Sequence, residues 1–147
     1  MRYLACVFAL LAFTGTGCAP KLPDDTKLIK TLTVEQAHAL AQHQGGGLSL
    51  SGLTTLSDEA AEALAQHKGW LYLDGLTTLS DEAAKALAQH QGDLSLDGLT
   101  TLSDEAAKAL SQHEGLLFLK GLTTLSDEAE EALRSNKQIC LPVQFVP

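Results

Sequence analysis

Apolar residues first recur at every second position and then at helical spacing, and this switch repeats down most of the chain. Leu48-Ser49-Leu50, Leu71-Tyr72-Leu73, Leu94-Ser95-Leu96 and Leu117-Phe118-Leu119 each carry leucine at alternate positions, the period of a short strand buried on one face. A fifth such stretch falls at Ile139–Leu141. Between these stretches the period changes. Ser80-Asp81-Glu82 opens a segment in which Ala84, Leu87 and Ala88 fall at i, i+3 and i+4, one stripe of a helix. Ser80 is a good N-cap, because its hydroxyl can accept a backbone N–H that the first turn leaves unpaired. Asp81 and Glu82 sit where the helix dipole favours acid, and Gly92 is expected to close the helix as a C′ glycine. The inward helix positions are mostly alanine, so the helix can lie close to the strands. The pattern predicts five short strands and five helices, the first helix running near Val34 to His43.

The spacing is regular. Leu53-Thr54-Thr55-Leu56-Ser57 recurs at Leu76, Leu99 and Leu122, each 23 residues further on. A unit this small cannot bury its own apolar face, whereas stacked copies bury a continuous one. The sequence resembles the leucine-rich-repeat family over about residues 28–142, and most closely its cysteine-containing variety, whose unit continues I-T-D-x-x-L-x-x-L-A. Leu79-Ser80-Asp81 stands where I-T-D belongs, and Leu87-Ala88 matches L-A. The resemblance implies an α/β leucine-rich-repeat solenoid with a short parallel β-sheet on the concave face and α-helices on the convex face. The family's Asn or Cys position is occupied by Leu53, Leu76, Leu99 and Leu122, so the paired threonines are expected to take over some of its hydrogen bonding. The first and last units are irregular and read as degenerate caps. The edge at Ile139–Leu141 could pair with another chain, and Pro142 would blunt it.

Ahead of the repeats, residues 1–17 read as an export signal. Arg2 is followed by an apolar run from Tyr3 to Phe13, too short for a permanent span, which takes roughly 20 residues. Thr14-Gly15-Thr16-Gly17-Cys18 resembles a lipobox, with Gly15 where leucine is usual. The resemblance implies a bacterial lipoprotein with a lipid on Cys18, a tether over 18–27, the repeat domain over 28–142 and a C-terminal tail over 143–147. Ordinary cleavage after Ala19 is the alternative, and it would leave Pro20 next to the cut. Lipidation would leave Cys140 as a lone thiol, and cleavage elsewhere would leave a Cys18–Cys140 bridge open. The expected location is the cell envelope, at the outer membrane or cell surface.

Charge narrows the partners. Removing residues 1–17 takes away Arg2 alone and leaves 9 basic against 18 acidic residues, a net of −9. That disfavours nucleic acid and electrostatic attachment to anionic lipid.

The repeats can be compared with one another. Residues 70–92 and 93–115 differ at four positions: Trp70/Asp93, Tyr72/Ser95, Ala88/Ser111 and Gln91/Glu114. The two largest changes are outward strand positions, so the scaffold is copied while the sheet face varies. The candidate binding residues on that face are Trp70, Tyr72 and Asp74, then Asp93, Ser95 and Asp97, then Leu116, Phe118 and Lys120. With strands about 4.8 Å apart, Tyr72 and Phe118 should flank Ser95 at roughly 10 Å, and Trp70 and Leu116 should flank Asp93. Aromatic rings beside carboxylates suit a protein, a peptide or a glycan. The plainer reading is a structural envelope protein whose aromatics only cover the sheet.

His43, His67, His90 and His113 recur at helix ends, where a cation gains from the helix dipole. A metal site is not expected from them. Helices pack about 8–10 Å apart, and two imidazoles on one ion need nitrogens within about 3–4 Å, given bonds near 2.1 Å. No enzyme is expected either. Ser-Asp-Glu occurs four times as a helix start, and no nucleophile elbow, phosphate loop or dinucleotide fingerprint is present. No cofactor is implied.

Overall fold

In the computed structural model, residues 29–42 and 46–145 are described. The expected export signal over 1–17, Cys18, the expected tether and His43 lie outside them. Among the described residues five helices alternate with five strands: α1 (Val34–Ala41), β1 (Gly47–Ser49), α2 (Asp58–Ala65), β2 (Trp70–Tyr72), α3 (Asp81–Ala88), β3 (Leu94–Ser95), α4 (Asp104–Leu110), β4 (Leu117–Phe118), α5 (Asp127–Arg134) and β5 (Ile139–Cys140). The strands form one parallel sheet in chain order, β1-β2-β3-β4-β5. Each helix packs against the next in the same order. The molecule is therefore an α/β stack of strand–helix units.

Register follows the leucines. Leu48 pairs with Leu71, Leu71 with Leu94, Leu94 with Leu117 and Leu117 with Ile139. These leucines face the helices, and with Leu50, Leu73, Leu96 and Leu119 they join Ala60, Ala83, Ala106, Leu64, Leu87 and Leu110 in one core. Leu53, Leu76, Leu99 and Leu122 belong to it as well, and each donates its N–H to the carbonyl three residues back. A leucine at this turn position thus fills core and leaves the turn to the backbone.

The helix starts link units as well as capping them. Ser57, Ser80, Ser103 and Ser126 each accept the N–H of the alanine three residues on. Three of them also donate Oγ–H to the preceding helix: Ser80 to Asp58, Ser103 to Asp81 and Ser126 to Asp104. The repeated Ser-Asp pair is a ladder down the helix layer. A second ladder uses the first threonine of three of the four pairs. Thr54, Thr100 and Thr123 donate Oγ1–H to the carbonyls of Lys30, Thr77 and Thr100. The expected threonine bonding is present there and carried by the first member of the pair.

Gly92 does not cap α3 in the left-handed conformation. The cap is Gln89, with φ −82° and ψ −6°, and the glycine is needed for close approach. A Cβ on Gly92 would fall 2.0 Å from the Gly69 carbonyl oxygen, and one on Gly98 1.9 Å from that of Asp74. Adjacent units touch backbone to backbone at these points.

The last unit is closed by its own side chains. Asn136 donates to the carbonyls of Ser111 and His113. A 3-10 turn over Val143–Phe145 brings Gln144 Nε2 to the Leu122 carbonyl at 2.8 Å, and Arg134 Nε donates to the Phe145 carbonyl. Phe145 packs against the core. The first three residues of the expected tail thus cover the end of the folded body.

Candidate functional site

The sheet has one face on the core and one free face, because successive side chains point to opposite sides. Trp70, Tyr72 and Asp74 alternate on the free face with the buried Leu71 and Leu73. Beside them lie Asp93, Ser95 and Asp97, then Leu116, Phe118 and Lys120, then Cys140, which pairs in register with Phe118. Trp70 and Leu116 are the large apolar side chains left most open here, at 37% and 40% exposure.

The rings are not arranged as the strand spacing alone suggests. The Trp70 ring lies 5.7 Å from the Tyr72 ring and 6.2 Å from the Phe118 ring, with interplanar angles of 19° and 23°. The indole therefore reaches across β3 to its second neighbour and covers Ser95. That residue, expected among the binding positions, is only 6% exposed and donates Oγ–H to Asp74 Oδ1 at 2.5 Å. At the far edge Lys120 Nζ stands 4.9 Å from the Phe118 ring centroid, a cation–π contact.

The three aspartates of this face hold the sheet together. Asp93 Oδ1 accepts the N–H of Leu116 at 2.9 Å, Asp97 Oδ1 that of Lys120 at 2.9 Å, and Asp74 Oδ1 that of Asp97 at 3.3 Å. Each residue thus bonds to the strand that follows its own through one oxygen. Among the described residues the second oxygen of each accepts no hydrogen bond.

At the entry to the strands is a shallow hollow of about 550 Å³ lined by Trp70, Gln91, Asp93 and Glu114 with Gly69, Gly92 and Gly115. Gln91 and Glu114 are not on the strands, so strand alternation did not select them. The comparison of the two repeats already marked both as varied.

Behind this hollow lies a column of histidines. His67, His90 and His113 are each 1% exposed, beyond the helix C-caps, and their rings stack in parallel at 6.3 Å. The helix-dipole explanation fails for them, since a dipole stabilises a cation and these rings are enclosed by protein. Burial holds His90 and His113 below the ordinary histidine range. It outweighs the carbonyls that favour the protonated form, Gly69 and Ala65 around His90 and Ala88 and Gly92 around His113. His90 Nε2 lies 2.9 Å from the Gly69 carbonyl, and Gly69 is the residue before Trp70. The column therefore supports the turns that present the free face.

Among the described residues no group of three or more His, Cys, Asp and Glu is placed to hold a metal ion, and no helix is long and apolar enough to cross a membrane. Cys140 is half-buried and unpaired among them. Comparison with protein families, with curated proteins and with solved structures found no match.

Proposed function

We propose that this chain is a leucine-rich-repeat solenoid exported to the bacterial cell envelope, anchored by a lipid on Cys18, and that it binds a protein or peptide on its sheet face without catalysis. The observation that carries the binding reading is the joined aromatic surface of Trp70, Tyr72 and Phe118 with Leu116 beside it. Large flat rings next to carboxylates supply contact area at low entropic cost. The sequential parallel sheet and the 23-residue spacing support the solenoid reading, and the Thr16-Gly17-Cys18 signal supports the anchor.

A photo-crosslinking amino acid at Tyr72 tests the surface directly. In cells it should trap a polypeptide that the same group placed at Glu62, on the helix layer, does not. An absence of adducts at Tyr72 would leave the second reading, a structural envelope protein with no dedicated ligand. That alternative has its own support, because Ser95 and one oxygen of each aspartate are already bonded within the sheet. Mass spectrometry of the mature N-terminus tests the anchor, which predicts a diacylglyceryl adduct on Cys18.

A further inference from the structure

We infer that the hollow at the strand entry seats a cationic side chain of an extended basic peptide, held between the Trp70 indole and the carboxylates of Asp93 and Glu114. This rests on the reading of the free sheet face as a binding surface and names the chemistry of its occupant.

Three observations converge. All four residues that line the hollow with side chains, Trp70, Gln91, Asp93 and Glu114, occupy two of the four pairs at which the otherwise copied repeats differ. Half of the divergent pairs thus border the hollow, where the stacked glycines bring the backbones close. Between these two copies the change is toward acid, from Trp70 and Gln91 to Asp93 and Glu114. The flanking units carry Lys68 and Lys137 at the Gln91 position, and among the described residues neither pairs with Asp93 or Glu114. Among the described residues no basic side chain lines the hollow. The neighbouring His90 and His113 are kept below the ordinary range by burial, so neither neutralises the acids.

The geometry of Asp93 separates its two tasks. Its Oδ1 holds the Leu116 N–H, which leaves Oδ2 for a partner. A guanidinium suits such a place, because it stacks flat on an aromatic ring and donates in the plane to a carboxylate. Beyond the hollow, Asp74 and Asp97 continue the acidic line along the strands. Lys120 ends it at the opposite margin, where a second cation would be repelled. A run of basic residues that starts at the hollow and follows Asp74 and Asp97 fits this order.

Trp70 is the sole tryptophan of the chain, so its fluorescence reads the hollow directly. The probes are hexa-arginine, hexa-glutamate and a neutral glycine–serine hexamer, titrated into the mature protein. Hexa-arginine should change Trp70 emission saturably and the other two should not. Asp93→Asn with Glu114→Gln should weaken hexa-arginine about tenfold or more. The amides keep acceptor oxygens, so the side chain at position 93 can still take the Leu116 N–H, and an unchanged melting curve verifies the fold. Glu59→Gln with Glu62→Gln removes the same charge from the helix layer and should leave the affinity unaltered.

Equal weakening by both pairs, equal binding of hexa-glutamate, or no saturable change with hexa-arginine would overturn the assignment. The crosslink at Tyr72 keeps the two levels apart. If adducts form there while the Asp93 and Glu114 changes have no effect, the cationic seat falls and the binding face stands. If neither adducts nor hexa-arginine binding are found, both fall.

Discussion

Trp70 and Phe118, on strands that are not neighbours, stack at 6.2 Å across β3. One indole thereby ties β2 to β4 and seals Ser95 below it. A double-mutant cycle with Trp70→Ala and Phe118→Ala is expected to show a coupling of about 0.5–1.5 kcal/mol in denaturant unfolding, the range for paired aromatic rings. Phe118→Ala alone should move Trp70 emission to the red as water reaches the indole. Strict additivity of the two substitutions would show the rings to be neighbours without interaction.

Acid is expected to weaken the fold through the histidine column. His90 and His113 are bases whose folded-state affinity for protons is depressed by burial. Above the ordinary value of 6.5 both folded and unfolded chains hold them neutral, and they cause no loss. As the pH falls through 6.5 the unfolded chain takes up protons that the folded chain refuses, so stability drops. The slope is at most about 1.4 kcal/mol per pH unit for each histidine. His90→Asn with His113→Asn, matching the asparagine at 136, should flatten the profile between about pH 7 and 5. An unchanged slope in that variant would place the acid sensitivity elsewhere.

The helix-layer ladder makes one cap serine worth more than another. Ser103 caps α4 and also donates to Asp81, whereas Ser57 caps α2 and makes no such bond to α1 among the described residues. Ser57→Ala should cost about 1 kcal/mol and Ser103→Ala up to about 2 kcal/mol, the upper part of the range for cap removal. Equal losses, measured by chemical denaturation, would mean that the serine–aspartate bonds contribute nothing.

Glycine at the seams should be irreplaceable where the backbones touch. Gly98→Ala puts a methyl against the Asp74 carbonyl, and the expected cost is about 1–3 kcal/mol or failure to fold. Gly46→Ala meets nothing within 4 Å and should be neutral. A comparison of melting temperatures decides the matter, and a tolerated Gly98→Ala would show that the units can slide apart.

Much of this architecture could be read from residue spacing, because each unit states its elements locally. Leucine at alternate positions gave β2 as Trp70–Tyr72 against an expected 71–73, and Ser80 before Asp81 gave the start of α3. Local reading failed where a residue's role is decided by the next unit along. Gly92 looks like a helix terminator from its own neighbours, yet it answers to the Gly69 carbonyl 23 residues earlier. His90 looks like a dipole-stabilised cation until the stacked rings on either side bury it. The reach of Trp70 over β3 depends on Ser95 being small and Phe118 being flat, three residues in three units. Gln91 and Glu114 carried a signal in the repeat comparison, but strand alternation could not assign them to the face they border.

The seams between units also say something about how such a molecule can change in size. From Ser80 to Asp58 through Ser126 to Asp104, successive joints use one bond, while Asn136, Gln144 and Phe145 are reserved for the final end. An inner unit is therefore an interchangeable link between two fixed terminals. One more 23-residue link, inserted between residues 92 and 93, would meet matching partners above and below. It would lengthen the free face of the sheet by one row while leaving the terminals untouched.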